Sequence, residues 1–253
     1  IDNTDPGGAQ TQLAVILEGL RDQYDFSVAV LGRAGRAQEK YRSLRIPVHA
    51  LQTGGNRRDP GVFQPLLHLI RREKPDLVHA HLFKSMVISA LAARQASVPC
   101  LLHDHSGLDA ETLRFYFPNM ISRSLYAWVY RLAVRSCAGL LVLTPQVQKS
   151  YLKDFHIPAE KITVLPNVID LKSNQPATAS EFSLRKELDL PATSRLIVMV
   201  GRLAPEKSWP IFIEIARRFQ DQSQLAFIAI GSGSLEGQLR KSVAEKGLSN
   251  IHF

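Results

Sequence analysis

The chain is 253 residues long, 45% hydrophobic and 21% charged, and its 31 Lys and Arg against 23 Asp and Glu give a formal charge of +8. At roughly 100–200 residues per domain this is one large domain or two modest ones, and the balance excludes disordered and collagenous classes. No apolar run approaches the ~18 residues of a bilayer-spanning helix, and two isolated cysteines, Cys100 and Cys137, make no disulfide framework, so a reducing, cytoplasmic location is expected.

Short apolar runs alternate with longer amphipathic ones. Gln10 to Leu20 has helical spacing at Leu13, Ile16, Leu17 and Leu20. Strand patterns follow at Phe26 to Leu31 and Val48 to Leu51, with a polar helix over Gln38 to Leu44 between them. A helix over Pro65 to Arg72 stops at Lys74-Pro75. Strand Asp76 to His81, helix Ser85 to Gln95 and strand Cys100 to His105 come next. The helical pattern of Met120 to Arg135 precedes strand Gly139 to Leu143, helix Gln146 to Phe155 and strand Ile162 to Leu165. Strands spaced by helices of this length predict βαβ units and a parallel sheet. Ser173 to Ser180 is polar and aperiodic and reads as a linker. The alternation then restarts with strand Leu196 to Val200, a helix to Phe219, strand Leu225 to Ile230, a helix to Lys246 and a strand at Ile251 to Phe253. The chain starts without Met, shows no signal-peptide pattern and stops inside a strand pattern, so a piece of a longer protein is expected.

Five features could carry chemistry. Gly7-Gly8 precedes a helix, where bare backbone N–H groups can meet an anion; a tight turn is the plain alternative. Gly201 to Lys207 lies at the carboxyl end of a strand, where ligands of open parallel sheets collect. Arg202 and Lys207 there suit diphosphate oxygens, against the alternative of a solvated loop with Arg paired to Glu206. Gly231-Ser232-Gly233-Ser234 repeats the strand–loop–helix context. His79/His81 and His103/His105 are two His-x-His pairs, each projecting two rings to one face of a strand. They can be metal ligands, packed core groups or polar and catalytic groups, with Asp104 turned the other way. Finally, Phe115, Tyr116, Phe117, Tyr126, Trp128 and Tyr130 interleave with Arg114, Arg123, Arg131 and Arg135. This pattern suits an anionic membrane surface or a helix half in the core. No nucleic-acid-reading module is recognisable.

Taken in order, Asp5 to Gln10, Pro75 to His81, Val98-Pro99 to His105, Leu165 to Asp170 and Gly201 to Lys207 resemble successive landmarks of family 4 retaining glycosyltransferases. The resemblance implies an α/β fold of GT-B type, with two Rossmann-like parallel-sheet domains, the second incomplete. Residues 1–172 would form the acceptor-side domain, 173–194 the linker and entry, and 195–253 the first part of the nucleotide-sugar domain. It implies His105 as the active-site histidine beside the transferred sugar, with His81 on the acceptor side. Arg202, Lys207, Gly7 and Gly8 would meet the donor diphosphate, and Gly233 the nucleoside side. Asn167 and Asp170 are read as structural.

The implied substrates are a UDP- or GDP-linked sugar and a glycan or lipid-linked acceptor, in cell-envelope polysaccharide or glycolipid synthesis. No cofactor, no required metal and no nucleic acid are implied, and an anionic membrane surface is a candidate partner. Gln10 and Ser208 depart from a frequent Glu and Gly of the family. The glutamate-containing donor motif lies beyond Phe253, so this chain alone is expected to be inactive or nearly so. Two alternatives stand beside this reading: a metal-dependent hydrolase built on His79, His81, His103 and His105, and a membrane-surface binding module.

Overall fold

The computed structural model describes every residue except 33, 52–59, 106, 108–113, 115–116 and 170–182. The chain divides into two units, Ile1–Asn174 and Gln175–Phe253. The linker expected over 173–180, together with Phe115, Tyr116 and Asp170, lies outside the described residues.

In the first unit, α1 (Gly8–Leu20), β1 (Val28–Val30), α2 (Ala37–Ser43) and β2 (Val48–Ala50) lead through α3 (Phe63–Glu73) to β3 (Val78–His81). Then come α4 (Phe83–Gln95), β4 (Cys100–Asp104), α5 (Met120–Ser136), β5 (Gly139–Val142), α6 (Pro145–Ser150) and β6 (Ile162–Val164). All strand pairs are parallel, in the orders β1-β2 and β3-β4-β5-β6. Residues 1 and 2 run along β1: the Ile1 amino group donates to the Ala29 carbonyl (2.8 Å), and the Leu31 and Gly32 amides donate to the carbonyls of Ile1 and Asp2. The segment before the Gly7-Gly8 loop is therefore extended, as a strand–loop–helix phosphate motif requires.

The helices end where the sequence supplies stops. Lys74 is left-handed at the end of α3 and Pro75 follows, so the helix cannot continue. The Asn119 side chain accepts from the Ile121 and Ser122 amides and starts α5, and Thr144 accepts from the Val147 amide to start α6. The helix expected to run unbroken from Gln146 to Phe155 instead widens into a π-turn over Tyr151–Phe155. Both terminal aromatics of that turn are buried, and Tyr151 reaches Asp104, so tertiary packing takes precedence over regular helix geometry. Two cores result: α1, β1 and α2 close around Leu17, Val30 and Tyr41, while α3, α4 and α5 cover Leu102, Leu140 and Val142.

The second unit contains α7 (Leu184–Glu187), β7 (Arg195–Val200), α8 (Trp209–Arg218), β8 (Leu225–Ile230), α9 (Glu236–Glu245) and β9 (Ile251–His252). Its sheet is parallel in the order β7-β8-β9. Trp209, Phe212, Ile213, Phe227 and Leu239 form its core. In both units parallel strands feed loops at their carboxyl ends, and those loops hold most of the residues singled out above.

Candidate functional site

At the start of the first unit, Gly7 and Gly8 are exposed and open α1, whose first turn has neither an acidic residue nor a side-chain cap. A side chain at Gly8 would meet nothing within 4 Å, whereas one at Gly7 would meet Gln10 Oε1 at 2.7 Å. Gln10 is buried and donates back to the Asn3 carbonyl (3.2 Å) and Asn3 Oδ1 (3.0 Å). This amide, where the family often has Glu, adds no negative charge beside the free N–H groups. The loop thus presents uncapped backbone donors to solvent.

The four histidines form one cluster rather than two separate pairs. Parallel register sets His81 opposite His103 and His79 opposite Leu101. Ring centroids lie 4.1 Å apart for His79–His81 and for His103–His105, and 5.1–5.4 Å apart between the strands. His81 Nδ1 and His105 Nε2 share a hydrogen bond of 2.9 Å. Burial, which penalises the charged ring, is the first cause of every shift. It holds His79 down to about 4 and His103 to about 3, and it lowers His81 and His105, with Asp104 opposing the shift at His105. At neutral pH the rings are uncharged.

Among the described residues, His79, His81 and His103 are the set that could hold a metal ion, with one nitrogen from each within 4.8 Å of the others. Buried ring nitrogens without a partner include Nε2 of His79 and His81, both nitrogens of His103 and Nδ1 of His105. A neutral imidazole offers one donor and one acceptor, so the same cluster suits the hydroxyls of a sugar. Asp104, as expected, points to the opposite side of β4. Its Oδ2 accepts from the Tyr151 hydroxyl (2.7 Å), which bonds in turn to Tyr130, and its Oδ1 accepts from the Gly107 amide. It therefore supplies no base to the histidine face.

Asp2 is a residue that the sequence reading passed over. Its carboxylate accepts from the Ser85 amide (2.5 Å), the Ser85 hydroxyl (2.7 Å) and the Lys84 amide (3.1 Å), capping α4 directly after His81. Ser85 also donates to the His81 carbonyl. Between them Leu82 is held at φ +75°, a left-sided conformation that costs a non-glycine residue about 1–3 kcal/mol. The strand thus breaks sharply after His81, and the only sequence signal for the Asp2 clamp was an acid at the tip of a strand. A separate surface recess, lined by Arg21, Tyr24, Phe26, Arg45 and Ile46, lies at the amino ends of β1 and β2, away from these groups.

In the second unit, Arg202 and Lys207 are both exposed on the loop after β7. Arg202 Nη2 pairs with Glu206 Oε1 at 2.6 Å, the arrangement of the plain alternative. Such an exposed pair is worth at most about 1 kcal/mol. The Arg202 carbonyl accepts from the buried Trp209 indole (2.7 Å), which fixes the backbone beneath the charge. Ser208 sits at φ +54°, a left-handed conformation that the glycine expected there from the resemblance would adopt without strain.

The loops after β7 and β8 are laced together. The Leu203 amide donates to the Ser232 carbonyl (2.9 Å), and the Leu235 amide donates to the Leu203 carbonyl (3.0 Å). A Cβ at Gly233 would overlap the Leu203 backbone, and one at Gly231, at φ +153°, would overlap the Gly201 carbonyl. Gly231 is thus as necessary to this approach as Gly233, although within the Gly231 to Ser234 motif the nucleoside-side role was expected of Gly233 alone.

Two Rossmann-like units with glycine loops at the carboxyl ends of parallel strands define the GT-B class. Within it, the profile of Glycosyltransferase Family 4 matches residues 6–173 and that of Glycosyl transferases group 1 matches residues 180–253. The chain belongs to Glycosyltransferase Family 4. It is 30% identical over 178 residues to the UDP-Gal:alpha-D-GlcNAc-diphosphoundecaprenol alpha-1,3-galactosyltransferase of Escherichia coli, covering 69% of this chain and 45% of the relative. The chain spans about half the length of the curated relatives it matches.

Among solved structures, Anabaena HepE in complex with UDP and glucose superposes with a TM-score of 0.76 at 20% identity, covering 100% of this chain and 67% of that one. A UDP-N-acetylglucosamine 2-epimerase superposes with a TM-score of 0.63 at 15% identity, covering 100% and 66%. The fold alone therefore does not select the reaction; the sequence matches are to the two glycosyltransferase families.

Proposed function

We propose that the protein carrying this chain transfers a sugar from a UDP- or GDP-linked donor to a hydroxyl of a glycan or lipid-linked acceptor. The anomeric configuration is retained, no metal is required, and the product belongs to cell-envelope polysaccharide or glycolipid synthesis. The observation that carries the reading is the exposed Arg202 and Lys207 at the carboxyl end of β7, on backbone fixed by Trp209 and the glycine-laced loops. Negative charge grows on the departing diphosphate, and cations already in place lower the barrier without reorganising.

In the same reading, the neutral His105 ring stands beside the transferred sugar and exchanges hydrogen bonds with its hydroxyls. His81, through the 2.9 Å contact, holds that ring in one tautomer on the acceptor side. The Gly7 and Gly8 amides take a diphosphate oxygen, and Gly233 keeps the backbone low where the nucleoside approaches. The E. coli relative, named for a UDP-linked donor and a diphosphoundecaprenol acceptor, supports the substrate classes. HepE, crystallised with UDP and glucose, supports a nucleotide-sugar site on this fold. We place the protein in the cytoplasm.

The test is transfer from a panel of UDP- and GDP-sugars to membrane lipid extract by the intact protein. The expected result is labelled product from one donor, with the donor's anomeric configuration and unchanged rate in chelator. Product of inverted configuration, or activity abolished by chelator and restored by metal, overturns the reading. The hydrolase alternative gains no base from Asp104, whose Oδ2 is taken by the Tyr151 hydroxyl.

A further inference from the structure

We propose that Asp104 and Tyr151 are positioning residues that brace the turn carrying His105 and so hold its ring against His81. Asp104 closes β4 and is 3% exposed, a place where a carboxyl group is costly unless hydrogen bonds satisfy it. Its two oxygens send those bonds to either side of the turn. Oδ1 accepts from the Gly107 amide (3.1 Å), which ties the start of the turn to its end. Oδ2 accepts from the Tyr151 hydroxyl (2.7 Å), which ties the turn to another element.

That element supports both ends of the turn. A Cβ at Gly107 would lie 3.0 Å from Val147 Cγ2, and Gly107 itself sits at φ +74°, a conformation that glycine takes without strain. Val147 and Tyr151 are four residues apart and share one face, Val147 packed at Gly107 and Tyr151 bonded to Asp104. The π-turn over Tyr151–Phe155 begins at the residue that makes this bond, and single π-turns within helices recur at functional sites.

The hydroxyl protons run one way. Burial first, and the Asp104 carboxylate next, raise the Tyr151 hydroxyl well above its ordinary value, so it keeps its proton and donates it to Asp104. With that proton committed, Tyr130 is the donor in the bond between the two hydroxyls. Tyr130 thus reaches Asp104 through Tyr151, one bond further out.

The consequence falls on one ring. His105 Nε2 shares its bond with His81 Nδ1 (2.9 Å), while its Nδ1 is buried without a partner. A neutral ring held in one tautomer presents a fixed donor or acceptor there, and a displacement of about 1 Å near a reacting centre costs about 10²-fold in rate. The use of the ring in transfer rests on the reading above; the brace that holds it does not.

The experiment pairs NMR of the histidine rings with steady-state transfer, both on the intact protein. In long-range proton–nitrogen spectra His105 is assigned by the signals lost in His105→Ala. Tyr151→Phe and Asp104→Asn, which keep side-chain volume, are each expected to shift the His105 nitrogens or split them between tautomers. Both should lower kcat about 10–100-fold, with the donor KM within about twofold. Tyr130→Phe removes a buried hydroxyl of the same kind but leaves the bond from Tyr151 to Asp104. It should lower the thermal midpoint, with the His105 signals unmoved and kcat within about twofold.

His105 signals unchanged in both Tyr151→Phe and Asp104→Asn overturn the proposal. So does a Tyr130→Phe variant that perturbs His105 and kcat as strongly as Tyr151→Phe, since a network serving stability alone would respond alike at both hydroxyls. The spectrum needs no sugar donor, so the two readings separate. Shifted His105 signals, together with wild-type transfer by His105→Ala, uphold the brace and overturn the part given to His105 in transfer.

Discussion

The strand-end groups of the two units are opposites. On the carboxyl halves of β3 and β4 and just past β4 stand four histidines, two of them fully buried, all kept uncharged and crowded ring against ring. After β7 stand an exposed arginine, paired with Glu206, and an exposed lysine, on a loop whose backbone is tied down by glycine contacts and an indole. In the function proposed above, the two strand ends serve two electrostatic purposes. A sugar has hydroxyls and no charge, and neutral imidazoles can donate to and accept from it without a desolvation penalty for an ion. A diphosphate is strongly anionic and needs fixed cations. The sequence can place both because the parallel sheet supplies the position and leaves the loop chemistry free.

The largest expected effect breaks the charged side of this contrast. Arg202→Ala or Lys207→Ala in the intact protein should slow transfer by about 10²–10³ while leaving the thermal midpoint unchanged, since both side chains are exposed. A loss below tenfold in both would remove their assigned role.

The neutral side is tested by acid. The folded pKa of His103 is depressed to about 3 against about 6.5 unfolded, so the unfolded chain binds the proton first. Its contribution to stability is present above pH 6.5 and falls as pH drops through the window down to about 3. The slope is up to about 1.4 kcal/mol per pH unit for the ring, and His79 acts in the same direction down to about 4. Denaturation at stepped pH should show this loss, and His103→Phe should flatten it; an equally steep loss in that variant would mean the acid sensitivity lies elsewhere.

Next comes the laced loop. Gly233→Ala pushes a methyl into the Leu203 backbone and should destabilise the second unit by about 1–3 kcal/mol, read by urea unfolding. Gly8→Ala is the counterpart in the first unit, where nothing in the protein lies within 4 Å. Stability should hold or rise by up to about 0.5 kcal/mol, because alanine favours the helix start, while transfer falls about tenfold through a clash with the donor. If Gly8→Ala leaves transfer untouched, no ligand backs onto that glycine.

The alternation of apolar runs and helical spacing located the parallel strands within a residue or two, because strands of a parallel sheet leave a dense apolar signature; β7 carries that signature although its side chains are largely exposed. The His-x-His spacing showed which rings share a face, and Asp104 was correctly turned away. The meeting of all four rings was not legible, because it depends on the register between β3 and β4, which no local spacing encodes. Nor was the Asp2 clamp on α4, a contact between residues 82 and 83 positions apart. The π-turn at Tyr151–Phe155 escaped for a related reason: Tyr151 is drawn to Asp104, and that partner lies on another strand. The Gly231 to Ser234 loop was legible as a strand-to-helix glycine loop, since a glycine directly after an apolar strand signals a close backbone approach.

The contrast between the two strand ends is tested most directly by calorimetric titration of the intact protein with the cognate nucleoside diphosphate and then with its sugar-linked form. The account predicts that Arg202→Ala weakens both ligands alike, by at least about tenfold, and that His105→Ala leaves the nucleotide untouched and weakens only the increment due to the sugar. Loss of nucleotide affinity in His105→Ala, with Arg202→Ala binding normally, would contradict it.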